Sequence, residues 1–172
     1  WKIPAFCSGG IPMPVSRTSK RSNIGSPGRA ARPPAAAGAQ RTAADIAEAG
    51  GTARSFACDV ASSAAVAETA RAAEAALGAV DVLANVAGIG DRGGAPIEEI
   101  EDAVFHGVLA VNLAGPFYFC RALLPGMAER GRGAVVNVSS LAGRTKSALG
   151  GLAYTASKSG LLGLTRHLAF DY

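Results

Sequence analysis

The stretch VDVLANVAG, residues 80–88, reads as a short buried strand that runs straight into a glycine turn. GAVVNVSS, residues 133–140, reads the same way and ends on two hydroxyls. Apolar residues on both faces mark strands of a parallel sheet, covered on both sides by helices.

The segments around these strands supply the helices. RTAADIAEAGG (41–51) is a short run of good helix formers stopped by Gly50 and Gly51. ARSFACDV (53–60) reads as a further short apolar strand ending at Asp59. SSAAVAETARAAEAALG (62–78) is a helix with Ser62 or Ser63 as N-cap and Gly78 past its end. Residues 96–131 read as two helical stretches with Pro116 near the joint, and Glu98, Glu99 and Glu101 favour the first turn. Residues 150–172 form a long amphipathic helix. Alternating strands and helices predict an α/β, doubly wound parallel sheet of Rossmann-like type. In such sheets ligands bind beyond the carboxyl ends of the strands. Asp59, the NVAG turn (85–88) and Ser139–Ser140 all fall there, which predicts one site.

The residues that carry chemistry converge on that site. Tyr154 and Lys158 are four apart on a predicted helix and share one face. A free tyrosine, with a pKa of about 10, is a poor base at neutral pH, and a nearby ammonium favours its phenolate form. A tyrosine so placed can take a proton from an alcohol or give one to a carbonyl. A solvated helix face is the bland alternative for the pair taken alone. Ser139 and Ser140 could hold a substrate oxygen or merely cap a turn. Asn112 sits between two helical stretches, where an Asn needs a reason or marks a break. Ala87 and Gly88 let backbone approach a ligand closely. Asp59 could accept a hydrogen bond from an adenine amino group or serve the helix beyond it. His106 and His167 have no metal-ligand partner at useful spacing, and no metal site is expected. No H-E-x-x-H, P-loop or G-x-S-x-G occurs.

Charge divides the 172-residue chain unevenly. Its net charge is +4, yet residues 1–41 hold seven basic residues and no acid, whereas residues 42–172 are net −3. Six of the nine prolines lie within the first 34 residues. Residues 1–40 therefore read as a basic, Pro-rich head apart from a domain over 41–172, whether as a disordered extension, a transit-type leader or sequence foreign to the fold. The domain has no basic stripe with interleaved aromatics, so nucleic acid is not an expected partner. No uninterrupted apolar run reaches about 18 residues, so no membrane span is expected. Cys7, Cys58 and Cys120 show no C-x-x-C spacing and read as buried thiols of a reducing, cytoplasmic compartment.

Taken in order, CDV (58–60), NVAG (85–88), AVNLAGPF (110–117), VVNVSSLAGR (135–144) and YTASKSGLLGLTR (154–166) resemble the short-chain dehydrogenase/reductase family over residues 41–172, in a 3-oxoacyl-reductase-like wording. The resemblance implies an NAD- or NADP-dependent oxidoreductase that interconverts a small alcohol and a ketone. It implies a tetrad: Tyr154 as acid/base, Lys158 favouring its phenolate and binding the nicotinamide ribose, Ser140 positioning the substrate oxygen, and Asn112 holding a relay water. It assigns adenine contacts to Asp59 and Val60, and the cofactor groove to Asn85, Ala87 and Gly88. It implies a homo-oligomer built on the helices that carry Asn112 and Tyr154.

Three departures stand against it. TSKRSNIG (18–25) has the outline of the family's phosphate loop, with Ser19 and Asn23 where two glycines belong. No strand separates AAAGAQ from RTAAD. The chain starts at Trp1 and stops at Tyr172, so the domain is expected to be incomplete at both ends. The alternative reading is an inactive remnant, at most an interaction or dimerisation module.

Overall fold

In the computed structural model, which describes residues 35–91, 95–146 and 150–172, β1 (Val82–Asn85) and β2 (Ala134–Asn137) pair in parallel. Val82 lies opposite Ala134 and Asn85 opposite Asn137. Between them the chain crosses over through helix, the connection a parallel pair requires. The architecture is the α/β, Rossmann-like one expected.

Helix α1 (Ala35–Glu48) starts six residues before the expected position and passes straight through Gly38. AAAGAQ and RTAAD are thus one continuous helix. It ends where Gly50 adopts φ 81°, a conformation open to glycine. Helix α2 (Ser63–Leu77) keeps both expected boundaries: the Ser62 hydroxyl accepts from Ala65 N at 3.3 Å, and Gly78 closes the other end at φ 84°.

The expected strand over 53–60 does not form. Only Phe56 makes a bridge, and the rest is irregular. A strand exists through its ladder, and among the described residues the only ladder is that of β1 and β2.

The segment expected as two helices is one unbroken helical run over Asp102–Glu129. It comprises α3 (Asp102–Leu109), a wide π turn (Ala110–Ala114) and α4 (Gly115–Glu129). Pro116 sits directly after the π turn, in the first turn of α4. This run, with a window of mean hydropathy 1.4, is long and apolar enough to cross a membrane. Of that window 33% is buried in the structure, and along the run Val108, Val111, Cys120, Leu123 and Met127 are buried. After β2 come a short 3-10 turn (Leu141–Gly143) and α5 (Leu152–Asp171).

Helices cover one face of the sheet. Leu83 packs with Ala70 of α2 and with Cys120, Leu123 and Met127 of α4, and Val135 and Leu168 close the cluster. On the opposite face the strand side chains are more exposed. Val82, Val86, Val136 and Val138 are 45%, 52%, 51% and 41% exposed, so no described helix lies over them. The phosphate-loop outline at 18–25 lies outside the described residues.

Candidate active site

The carboxyl ends of β1 and β2, the π turn and the first half of α5 meet at one place. Lys158, 4% exposed, reaches from α5 to the end of β2, where its Nζ donates to Val138 O at 2.8 Å. Its Nζ stands 5.8 Å from the centroid of the Tyr154 ring. Burial pushes the pKa of this ammonium below its ordinary value, because the charged form loses hydration. An ammonium carries three donors, and Val138 O is the one acceptor seen for it among the described residues. The remaining N–H groups face the turn after β1: a Cβ built on Gly88 would lie 3.5 Å from Lys158 Nζ and 3.3 Å from Asn112 Oδ1.

Asn112 lies in the π turn and is fully buried. Such turns re-aim side chains and recur at functional sites. Its Oδ1 accepts from Ile89 N at 2.9 Å, and its Nδ2 donates to Ile89 O at 2.8 Å and to Ser157 Oγ at 3.0 Å. Ser157 in turn donates to Tyr154 O at 2.7 Å. The amide therefore clamps the loop after β1 to α5, with one lone pair of Oδ1 unused.

The two serines at the end of β2 separate by their partners. Ser139 Oγ donates to Lys158 O at 3.0 Å, so its proton is spent on α5. Ser140 Oγ accepts from Ala142 N at 3.2 Å and caps the 3-10 turn, which leaves its own O–H to donate. That turn is seated on α5, with Ser159 Oγ donating to Gly143 O at 3.0 Å. Glycines flank the Tyr154 ring: a Cβ at Gly150 would lie 2.5 Å from Cδ1, and one at Gly90 would lie 4.0 Å from Cδ2.

Lys158 and Asn112 thus meet beside Gly88, with Tyr154 one turn before Lys158 on α5 and Ser140 at the head of the turn seated on that helix. A family model described as short chain dehydrogenase matches residues 32–172. The chain belongs to the short-chain dehydrogenase family. Among curated relatives, D-threitol dehydrogenase of Mycolicibacterium smegmatis is 40% identical over 137 residues, which cover 80% of this chain and 52% of that protein. 2-(S)-hydroxypropyl-CoM dehydrogenase 3 of Xanthobacter autotrophicus is 36% identical over 138 residues, 78% of this chain and 51% of that protein. A metagenomic short-chain oxidoreductase solved in complex with NADP superposes with a TM-score of 0.71 at 42% identity, covering 77% of this chain and 59% of that one. The chain spans about half the length of these curated relatives.

Of the positions singled out from the sequence of this short-chain dehydrogenase, Asn85 and Val60 bury their side chains, whereas Asp59 stays exposed. The Asn85 amide, 9% exposed, turns away from the turn after β1 and into the core. There its Nδ2 donates to Asn137 Oδ1 at 2.8 Å, while its backbone O accepts from Val138 N at 3.0 Å. The Val60 side chain is buried at 3% exposure, with its backbone and Cβ pressed close to Gly115. Asp59 Oδ1 accepts from Ala61 N at 3.0 Å, so one oxygen shapes the turn before α2 and the other is left for a ligand. Ala87 is half-buried and Gly88 exposed beside Lys158. His106 and His167 are surface helix residues, bonded to Asp102 O at 2.8 Å and paired with Asp171 at 3.6 Å.

Sequence reasoning missed Ser157 and Asp91. Ser157 hides inside the YTASK string as one more small helix residue. Asp91 Oδ1 accepts from Tyr154 N at 2.9 Å and Oδ2 from Ala153 N at 3.0 Å, across more than 60 residues of chain. The available signal was Gly151, a helix start with no side chain to cap it.

Proposed function

We propose that this chain carries the active site of an NAD- or NADP-dependent oxidoreductase that interconverts a small alcohol and the corresponding ketone, with Tyr154 as acid/base. The observation that carries the reading is the buried Lys158 ammonium, held by Val138 O beside the Tyr154 ring and facing Gly88. The donor set fits a nicotinamide nucleotide. Lys158 keeps N–H groups for ribose hydroxyls, and Gly88 leaves the room that a Cβ would fill. Ala87 and Gly88 would line the groove, and the outer oxygen of Asp59, with the backbone of Val60, would meet the adenine. When bound, the nicotinamide supplies the hydride acceptor or donor.

This chain's own residues do the rest. In the oxidative direction the Tyr154 phenolate takes the alcohol's proton as its C–H hydride leaves and the C=O bond forms. In reduction the phenol returns that proton to the carbonyl oxygen. The Ser140 O–H donates to the substrate oxygen and holds it beside Tyr154. A water on the remaining Oδ1 lone pair of Asn112 would pass protons toward Lys158. The neighbour solved with NADP supports the cofactor class. Apolar side chains exposed on the outer helices, Phe117 on α4 and Phe170 on α5, support assembly as a homo-oligomer; sedimentation at a monomer mass at all concentrations would refute that part.

The test is a titration of the purified 172-residue chain with NADH and with NADPH while nucleotide fluorescence is followed. Saturable binding is expected below about 1 mM. No saturable binding to that limit would overturn the reading for this chain. Given binding, Tyr154→Phe should retain it and lower turnover by roughly 10²-fold or more; unchanged turnover would refute the acid/base role.

A further inference from the structure

Helix α5 begins without a cap of its own. Its N-cap is Gly151, at φ −77° and ψ −168°, and no side chain of the helix satisfies the first amides. The missing acceptor comes from elsewhere. Asp91, at the far end of the loop that leaves β1, places one carboxylate oxygen on Ala153 N and the other on Tyr154 N, at 3.0 and 2.9 Å. Those amides are the second and third of the helix, the two that an N-cap side chain normally serves. Gly151 is needed for this approach, since a Cβ there would collide with the Asp91 carboxylate.

The same loop is held a second time. Ile89, two residues before Asp91, gives both its backbone groups to Asn112. The segment from Gly88 to Asp91 is therefore pinned to the π turn at one end and to the start of α5 at the other. Gly88 borders Lys158 and Asn112, and Gly90 borders the Tyr154 ring. Movement of this loop against α5 would alter the spacing between the groove and the phenol.

We propose that Asp91 is a positioning residue: by capping α5 from outside, its carboxylate fixes Tyr154 relative to the loop at Gly88. This rests on the reading of Tyr154 as acid/base. An ordinary helix cap would stabilise α5 equally well from Gly151. A tether does something a local cap cannot, because it fixes two elements against each other. The closing experiment separates these functions. Asp91→Ala removes cap and tether together. Asp91→Ala combined with Gly151→Ser restores a cap from within the helix, at an N-cap backbone geometry that serine adopts readily, and leaves the tether broken.

Asp91→Ala should lower Tm and lower kcat roughly tenfold or more, with the KM for substrate changed less than kcat. The double variant should recover Tm and leave kcat low. Recovery of both, or an unchanged kcat in Asp91→Ala, would overturn the proposal. Amide hydrogen exchange supplies an arm independent of turnover. In the double variant Ala153 and Tyr154 should stay protected, while Ile89 and Gly90 exchange at least severalfold faster than in the parent chain. Equal exchange at Ile89 and Gly90 would overturn the tether even in a chain that turns over nothing, whereas failure of the parent chain to bind NADH or NADPH counts only against the proposed function.

Discussion

Asn112 and Ile89 exchange two hydrogen bonds, at 2.9 and 2.8 Å, as if the side-chain amide were a third strand laid beside the turn after β1. The pairing explains why an asparagine occupies the inside of a long helical run. It also joins three elements, because the same amide reaches Ser157 on α5.

Asn112→Ala should destabilise the fold by roughly 2–4 kcal/mol, since three hydrogen bonds go and the groups on Ile89 lose their partner. Urea denaturation should show a lower midpoint at an unchanged m-value. A change within about 0.5 kcal/mol would mean that Ile89 finds replacement partners at no cost.

That clamp marks the border of what the sequence discloses. Local signals were legible: Ser62 and Gly78 bound α2 as written, and the β1 and β2 strings sit where their apolar runs place them. The 53–60 string was misread because a strand depends on a partner that the string itself does not name. The helix start expected at Arg41 lies six residues late because the lone Gly38 weakens a helix without stopping it. Tyr154 and Lys158 declared their shared face through four-residue spacing, and Asn112 declared itself by being out of place. Asp91 gave no such sign, because its partners are two backbone amides more than 60 residues away and backbone amides have no sequence signature. The family resemblance assigned Asn85 to the groove, but strand alternation carries its side chain into the core with Leu83.

Lys158 gives the fold a pH dependence of definite sign. Its pKa in the folded chain lies below the ordinary 10.5. Between the lowered value and 10.5 the unfolded chain holds a proton that the folded chain has released, so stability rises with pH across that window. Below the window both states are charged, and the desolvation cost of the buried ammonium is felt in full. Lys158→Met should flatten this rise in chemical denaturation curves taken from neutral to alkaline pH. A variant whose stability changes with pH as the parent's does would show that Lys158 titrates alike in both states.

Gly88 tests the groove without disturbing the core. A Cβ there would stand 3.3 Å from Asn112 Oδ1 and 3.5 Å from Lys158 Nζ, close enough to need a shift of a few tenths of an ångström. Its φ is not among the positive ones, so alanine meets no backbone strain. Gly88→Ala should cost less than about 1 kcal/mol of stability. Its methyl group would occupy the space proposed for the nucleotide, so the Kd for NADH or NADPH should rise about tenfold, equivalent to ~1.4 kcal/mol. Undiminished affinity would place the nucleotide elsewhere.

Gly143 makes the opposite case, in which the neighbour cannot yield. Its Cβ would lie 2.7 Å from Lys158 O and 2.9 Å from Ser139 Oγ, and the first of these is helix backbone. Gly143→Ala must therefore push the 3-10 turn off α5, breaking the Ser159 bond to Gly143 O and moving Ser140 at the turn's head. Overpacking of this kind costs about 1–3 kcal/mol, and a displaced Ser140 should lower turnover in the same variant. Gly107, within α3, supplies the control: nothing lies within 4 Å of its Cβ position, so Gly107→Ala should raise stability by about 0.5–1 kcal/mol through helix propensity alone. Thermal denaturation of the two variants side by side should move Tm in opposite directions. If Gly143→Ala melts with the parent, the close seating of the turn on α5 is not what holds Ser140 in place.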